Sequence, residues 1–355
     1  APIDPEVMAL LVFTSGTTGK GKGVMLSQRN ICSDLADVIQ FIDFSTRCMN
    51  VLPPHHTYGS SVMLIAHVMI GAEVYISDGI KYVARELKAE KPGHMILVPL
   101  YLETFYRKIL ANVKEQGKED ILFRMIKVSN GLRKVGIDMR KKLFGAVRAA
   151  FGGEVKMIIS GGAPINPDIL AFFDAVGIST LNGYGITECA PLTCVTPYYA
   201  RKYGSVGPEV PCCQARIDGD ELNEKGYIEG EIQVKGDNVM LGYYKDEDAT
   251  RDAFDGDGFF KTGDYGKLDE NGVLYITGRK KNVIITANGK NVFPEEIEQL
   301  ISNLPYVEEN FVFGLPRNEE DERDLVICAK IVYNAEYMKA ECGLDNKKEE
   351  DLKKI

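Results

Sequence analysis

The chain has 355 residues, 45% hydrophobic and 26% charged, which is an ordinary balance for a globular protein with ample core. Its formal net charge of −9 argues against a general nucleic-acid binder, because a phosphate backbone demands a basic face. A nucleotide is still compatible with that charge, since it needs only a few well-placed donors.

In chain order, "ALLVFTS" reads as a buried strand, and the glycine-rich stretch after it runs into "GVMLS", a second short strand. "SQRNICSDLADVIQF" follows with helical spacing at Ile31, Leu35, Val38 and Ile39, and Ser27 is placed as N-cap. The most apolar run, "VMLIAHVMIGAEVYI" (Val62–Ile76), is interrupted by His67, Gly71 and Glu73. It is too short and too punctuated to span a bilayer, and a buried helix followed by a strand is expected instead. "YVARELKAE" and "PDILAFFDAV" carry helical spacing; "EVYIS", "HMILVP" and "EVKMIIS" are strand-like. Such alternation predicts an α/β fold with a mainly parallel, covered sheet, where ligands gather at the carboxyl ends of strands. From about Tyr198 glycine and aspartate punctuate short strands ("QARI", "GEIQV", "GVLYITG"), which predicts a β-rich subdomain. After "GRKKNV" comes a last unit: "VIIT", a helix opening at "FPEEIEQLIS" with Pro294 first and Glu295 and Glu296 behind it, then "VEENFVFGL" and "LVICAKIVY". Glu319–Glu320–Asp321 reads as solvated surface and "NKKEEDLKKI" as a solvated helix or a fray.

Eight cysteines are scattered without a C-x-x-C pair, and adjacent Cys212–Cys213 is poor zinc-ligand spacing. They are expected to be reduced thiols packed as small hydrophobes in a cytoplasmic protein. "APIDPEVMA" has neither a basic start nor an apolar h-region, and it lacks an initiator Met, so the chain reads as an excised piece.

The stretch "LLVFTSGTTGKGKGVMLS" nearly matches the phosphate-cradling pattern G-x-x-x-x-G-K-[ST] through Gly16, Gly21 and Lys22. Gly23, however, stands where a hydroxyl would hold Mg2+, and a strand rather than a helix is expected next. Both departures argue against a P-loop, which needs a helix N-terminus facing the phosphates. Thr14, Ser15, Thr17 and Thr18 offer hydroxyls, Gly16 and Gly19 allow close backbone approach, and Lys20 and Lys22 bring positive charge. The plain alternative is a glycine-rich hairpin tip with no ligand.

"FTSGTTGKGKGVMLS" resembles the signature loop of the adenylate-forming ligases, the superfamily of acyl-CoA synthetases, luciferases and peptide-synthetase adenylation domains. The usual pattern is T-S-G-[ST]-T-G-x-P-K-G, and Gly21 stands here for its proline, which should loosen the loop. Four further segments resemble the family in order: "PPHHTYG" (Pro53–Gly59), "ISGGAPI" (Ile159–Ile165), "NGYGITECAP" (Asn182–Pro191) and "GFFKTGDYG" (Gly258–Gly266). "YITGRKKNVIITANGKNVFPEEIE" (Tyr275–Glu298) resembles the interdomain hinge and the start of the small domain. The branch most resembled is that of long- and medium-chain fatty acyl-CoA synthetases.

The resemblance implies a two-step reaction: a carboxylate attacks the α-phosphorus of MgATP, and the thiol of coenzyme A then takes the acyl group. Charge neutralisation and positioning should dominate the first step. It implies that Lys22 and the loop from Thr14 to Lys20 hold phosphates, that Glu188 holds Mg2+ and that Thr187 meets the α-phosphate. Tyr184 would stack on adenine, with Gly162 and Ala163 against the base and Asn182 and Gly185 in the same motif. Asp264 would accept from the ribose hydroxyls, Arg279 would lie near ribose and phosphate, Lys281 would be the hinge, and His56 would stand at the carboxylate entrance. Plainer readings stay open: Glu188 as a solvated carboxylate, Asp264 in an Asx turn, Tyr184 in the core, and Arg279, Lys280 and Lys281 as a surface cluster. His55 in place of His56, or either as a core histidine, is equally open.

On this resemblance residues 1–278 form an incomplete large domain, 279–281 the hinge and 282–355 an incomplete small α+β domain. Two parts of the family pattern are missing: the segment before the signature loop and a G-K lysine motif after Val312. An internal piece that binds nucleotide and adenylates poorly is therefore expected. A fatty or other carboxylic acid and coenzyme A are the expected partners, with peripheral membrane contact compatible with a fatty substrate. An acyl carrier protein as acceptor and a non-catalytic nucleotide-binding relative are the alternatives.

Overall fold

Strands β1 (Met8–Thr14) and β2 (Lys22–Ser27) pair antiparallel, with Thr14 opposite Lys22 and Val12 opposite Val24. The structure, a computed structural model, describes residues 4–14, 21–197, 201–219, 226–286, 291–304, 306–318 and 321–344. Helix α1 (Gln28–Phe41) starts where expected. Ser27 Oγ accepts from the Asn30 amide at 3.1 Å while Asn30 Oδ1 accepts from the Ser27 amide at 2.8 Å, a reciprocal capping box. The Asn30 side chain also donates to the carbonyls of Asp237 and Val239, each at 2.8 Å, so the helix start is tied to a distant segment. Ile31, Leu35 and Val38 are buried along one face, as the spacing predicts.

Six strands make the main sheet: β3 (Arg47–Asn50), β4 (Glu73–Ile76), β5 (His94–Leu97), β6 (Met157–Gly161), β7 (Ser179–Gly185) and β8 (Leu192–Val195), in the order β4-β3-β5-β6-β7-β8. All neighbours are parallel except β7 and β8. The fold is α/β as expected. One face packs against helices Val83–Glu90, Pro99–Glu115, Glu119–Lys134 and Pro167–Ala175, whose Leu87, Leu102, Leu122, Phe172 and Phe173 join Met95 and Ile158 in one core. Phe173 is fully buried, and its truncation to Ala would cost about 3–5 kcal/mol. The long helices Pro99–Glu115 and Glu119–Lys134 have no counterpart in the sequence reading. Leu102 is buried in one and Leu122 and Ser129 in the other. Tyr101, Phe105, Ile109 and Val113, spaced four apart, pack partly buried against the same core, a helical spacing that the reading passed over.

The apolar run at 62–76 folds as a π-helical stretch Tyr58–Ile65, a short α-helix Ala66–Met69 and β4. The helix is buried on one side only: Met63, Ala66 and His67 are enclosed, whereas Val68 is 73% and Met69 52% exposed. Strands β9 (Cys213–Asp218), β10 (Tyr227–Gly236), β12 (Phe260–Asp269) and β13 (Leu274–Arg279) form a four-stranded sheet, as the punctuated texture predicts. Two-residue β11 (Gly242–Tyr243) returns to pair with β2, Tyr243 opposite Val24.

The chain divides into two units, Ala1–Thr262 with Leu268–Tyr275, and Gly263–Lys267 with Ile276–Ile355. In the second, β14 (Ile284–Ile285) pairs with β15 (Asn291–Val292), and helix Pro294–Ser302 opens on Pro294 as expected. That helix packs on the hairpin of β16 (Val307–Asn318) and β17 (Asp321–Tyr333), where Glu298 Oε1 accepts from the Val312 amide at 2.8 Å. The charge-rich tail "NKKEEDLKKI" and the side chains of 319–321 lie outside the described residues.

Candidate functional site

Of the sequence-selected residues of the first unit, His56, Gly162, Ala163 and those from Asn182 to Glu188 lie at the carboxyl ends of parallel strands, where an open α/β sheet binds ligands. Thr14 and Lys22 belong instead to the antiparallel pair β1–β2. Gly161 at the end of β6 stands opposite Gly183 of β7, so Gly162 and Ala163 leave the sheet beside Tyr184 and Gly185. Gly162 has φ +84°, a conformation that glycine adopts without strain, and Ala163 is exposed. Asn182 is fixed by its neighbours: its amide donates to Thr196 Oγ1 at 2.7 Å and its side chain to the Ser205 carbonyl at 3.1 Å. Tyr184 is 8% exposed, so most of its ring is packed. A Cβ on Gly185 would fall 2.0 Å from the Pro191 carbonyl oxygen, which explains glycine at the sharp exit from β7.

Past that exit, Thr187 and Glu188 lie in a 3-10 turn, Thr187–Cys189, both half-buried. The backbone oxygen of Glu188 accepts from the Met240 amide at 2.8 Å, and the Met25 carbonyl accepts from Leu241 at 2.9 Å. These bonds and the β2–β11 pairing bring Tyr243 between two residues far from it in sequence. Its hydroxyl donates to Glu188 Oε1 at 3.1 Å, and Lys22 Nζ sits 4.6 Å from its ring centroid. Burial first, then the adjacent Glu188 charge, push the Tyr243 phenol above its ordinary range, so it stays a donor. Lys22 and Glu188 are thereby presented on either side of one tyrosine. Sequence reasoning missed Tyr243: a two-residue strand has no periodicity to read.

Thr14 closes the strand before the glycine-rich loop, its hydroxyl 3.5 Å from the Lys22 carbonyl. Ser15, Gly16, Thr17, Thr18, Gly19 and Lys20 lie outside the described residues. Lys22–Ser27 is a strand, so the chain after Gly21–Lys22 lacks the helix that a P-loop requires. His56 follows β3 on the loop that leads from Pro53 into the π-helical stretch, and both it and His55 are exposed, so neither is a core histidine. Partial enclosure, then the neighbouring His55, push the His56 imidazole below its ordinary value, and its Nδ1 accepts from the Tyr58 amide at 3.2 Å. Tyr58 joins that loop to β6 through its hydroxyl, 3.5 Å from the Ile159 carbonyl.

In the second unit Asp264 is buried and Arg279 is half-exposed, with Arg279 Nε 2.9 Å from Asp264 Oδ1. The Arg279 amide also donates to Glu295 Oε1 at 3.4 Å, and Asn282 donates to the same oxygen at 2.6 Å. Lys281 is exposed in the 3-10 turn Lys280–Asn282.

The chain is 34% identical to long-chain-fatty-acid–CoA ligase 6 of Rattus norvegicus over 330 residues, 88% of this chain and 47% of that protein. It is 32% identical to long-chain-fatty-acid–CoA ligase FadD15 of Mycobacterium bovis over 86% of this chain and 52% of that one. The chain thus spans about half the length of these curated relatives. Among solved structures, ATP-bound MatB from Rhodopseudomonas palustris superposes with a TM-score of 0.72 at 28% identity, covering 94% of this chain and 59% of that one. O-succinylbenzoate coenzyme A synthetase (MenE) from Bacillus subtilis, in complex with ATP and magnesium ion, gives 0.72 at 26% identity over 93% and 61%. Residues 1–244 match the family described as AMP-binding enzyme, and the chain belongs to that family.

Proposed function

We propose that the protein is, as a whole, an ATP-dependent carboxylate–CoA ligase that converts a fatty acid to its adenylate and then to the CoA thioester. The observation that carries this reading is the Tyr243 bridge. It seats the Lys22 ammonium against the ring of Tyr243 and the Glu188 carboxylate against its hydroxyl, a cation and an anion that one metal-bound polyphosphate can use together. Kinship with fatty acid–CoA ligases supports the acid and the thiol, and ATP in two structural relatives supports the nucleotide.

Glu188 fits a hard cation: its carboxylate is half-buried, one oxygen is oriented by a neutral phenol, and among the described residues no salt bridge neutralises it. Mg2+ bound there would offset charge on the β- and γ-phosphates. Lys22 would hold the departing pyrophosphate with the loop from Thr14 to Lys20, and Thr187 would hydrogen-bond the α-phosphate. Tyr184, Gly162, Ala163, Asn182 and Gly185 would line the adenine side, with Tyr184 stacking on the base. His56, neutral at pH 7, would stand where the acid enters.

In the second unit Asp264 would accept from the ribose hydroxyls, and Arg279 would share its charge between Asp264 and the nucleotide. Lys281 would serve as the hinge between a large domain, 1–278, and a small one, 282–355. A cytoplasmic enzyme is the location proposed. Among the described residues no helix is long and apolar enough to cross a membrane.

The test is pyrophosphate release by the full-length enzyme across acetate, medium-chain, long-chain and aromatic acids, with the nucleotide product identified. Acid-dependent AMP formation, greatest with a fatty acid and followed by consumption of CoA, is the expected result. Acid-independent ADP formation would overturn it, and transfer only to a carrier-protein thiol would move the proposal to a different acceptor.

A further inference from the structure

Away from the strand ends that carry Glu188, three side chains from separate segments meet in the interior. Cys48 on β3 and His94 on β5 are register partners on adjacent parallel strands, and His67 reaches them from helix Ala66–Met69. All three are buried, at 2%, 1% and 0% exposure, and their ligand atoms lie within 4.8 Å of one another. The two imidazoles lie nearly parallel, with ring centroids 4.8 Å apart and an interplanar angle of 17°, and meet edge to edge through their Nε2 atoms, while Phe44 packs against both.

The outer nitrogens of both rings face polar groups. His67 Nδ1 lies 3.2 Å from the Val62 carbonyl, which can only accept, so this nitrogen carries the proton and Nε2 is left as a bare lone pair. His94 Nδ1 lies 2.9 Å from Ser45 Oγ, whose hydroxyl donates to the Arg47 carbonyl at 2.6 Å and so has a lone pair to offer. The Ser45 amide, 3.2 Å away, competes for the same nitrogen by donating to it. Between the rings the two Nε2 atoms are 2.6 Å apart. Two lone pairs at that separation repel unless a cation lies between them. One solution is a single proton on His94 Nε2, with the Ser45 amide donating to Nδ1. The other moves that proton outward to Nδ1, onto Ser45 Oγ as acceptor, and puts a metal ion between the rings with Cys48 as third donor. Ring N–H groups held by a carbonyl or hydroxyl are the usual outer support of histidines that ligate metals.

We propose that Cys48, His67 and His94 form a buried site for one thiophilic d10 cation, Zn2+ or Cu+. A thiolate with two imidazoles is a donor set that both ions accept and that Mg2+ and Ca2+ do not. Binding releases one proton, from the Cys48 thiol, since the His94 proton only changes nitrogen. Zn2+ then leaves a single net positive charge in the pocket and Cu+ leaves none, which favours Cu+ in so dry a place. At metal–nitrogen distances of about 2.0–2.1 Å and a bent N–metal–N angle, the two Nε2 atoms must part by about 0.7–1 Å and each ring must tilt to aim its lone pair at the ion. The short helix that carries His67 can supply that shift, because its Val68 and Met69 are exposed. The ion would link two strands of the sheet to the helix that covers them.

The experiment uses the full-length enzyme stripped of metal under reducing, anaerobic conditions. It is titrated separately with Zn2+ and with Cu+ against chromogenic chelators, in excess Mg2+ so that carboxylate sites are filled. One ion per chain is expected, with a rise in melting temperature. Affinity should be about tenfold or more weaker in Cys48→Ala and in His94→Gln. Cys48→Ser is the isosteric substitute should either fail to fold, and all three are compared by circular dichroism without metal. Co2+ gives a readout that needs no affinity: a sulfur-to-metal charge-transfer band, present in the wild type and absent without Cys48. Equal stoichiometry and affinity in the folded variants, or a wild type that takes up neither ion, would overturn the proposal. Zn2+ uptake without Cu+ uptake, or the reverse, decides between the two ions. ATP- and acid-dependent turnover is measured in parallel, so a failed ligase assignment does not confuse the result.

Discussion

In the first unit the ammonium of Lys22 and the carboxylate of Glu188 are kept apart by the ring and hydroxyl of Tyr243. In the second, Arg279 reaches Asp264 directly at 2.9 Å, and a largely buried carboxylate meets a half-exposed guanidinium. A direct pair spends most of its field on itself. A neutral phenol between two charges orients both while cancelling neither, so both remain to act on a third, charged body. On the proposed function Glu188 would act through ligand electrostatics, whereas Asp264 and Arg279 stand as a pre-formed pair.

The largest effect should come from the undischarged carboxylate. Glu188→Ala is expected to lower kcat for acid-dependent pyrophosphate release about 10²–10³-fold, with little change in melting temperature. A loss of stability with activity retained would break the comparison from its first side. Arg279→Ala tests the other side through stability. Because the guanidinium is half-exposed, removing it should destabilise the second unit by about 1–2 kcal/mol in urea titration, less than a fully buried pair would lose. Arg279→Lys, with a point charge and no planar fork, should recover part of that.

Several parts of this arrangement were legible before the fold. Ser27 announces the helix start chemically, and β6 is a short apolar run ending in glycine, so Gly162 falls at a strand end by simple reading. Strand β7, "STLNGYG", is too polar to read as a strand, and Tyr184 and Glu188 were found through their resemblance to the family motif. Tyr243 was not legible, since its position depends on β2, on the Asn30 side chain and on the turn at Glu188, three segments that sequence spacing does not connect. The Cys48, His67 and His94 cluster escaped for the same reason: no two of them share a motif, and parallel pairing of β3 with β5 is what makes neighbours of Cys48 and His94. Helix Pro99–Glu115 was legible yet unread: Tyr101, Phe105, Ile109 and Val113 recur every fourth residue and pack against the core.

Tyr243→Phe sharpens the comparison by keeping the ring under Lys22 and deleting only the hydroxyl on Glu188. A lost hydrogen bond to a charged acceptor of this exposure is worth about 1 kcal/mol, hence roughly a fivefold fall in kcat/KM for ATP. Tyr243→Ala, which also removes the contact with Lys22, should fall further. Equal activities in the Phe variant and the wild type would mean that the hydroxyl orients nothing.

The smallest effect calibrates what a direct pair contributes when water reaches it. Asp138 hydrogen-bonds Arg140 with its side chain 52% exposed, and that contact, opposed by partial burial, takes its carboxyl from the ordinary 3.8 to about 2. The folded-state value is lowered, so the pair's stabilisation is complete above about pH 4 and fades as pH falls towards about 2. Taken at face value the shift would exceed 2 kcal/mol, but solvent screening at this exposure reduces it to under about 1 kcal/mol. Asp138→Asn should therefore cost less than that at pH 7 and nothing measurable near pH 2, with both values read from denaturant midpoints. A cost at pH 7 matching that of Arg279→Ala would mean that burial of Asp264 adds nothing, and the contrast between the two geometries would lose its physical basis.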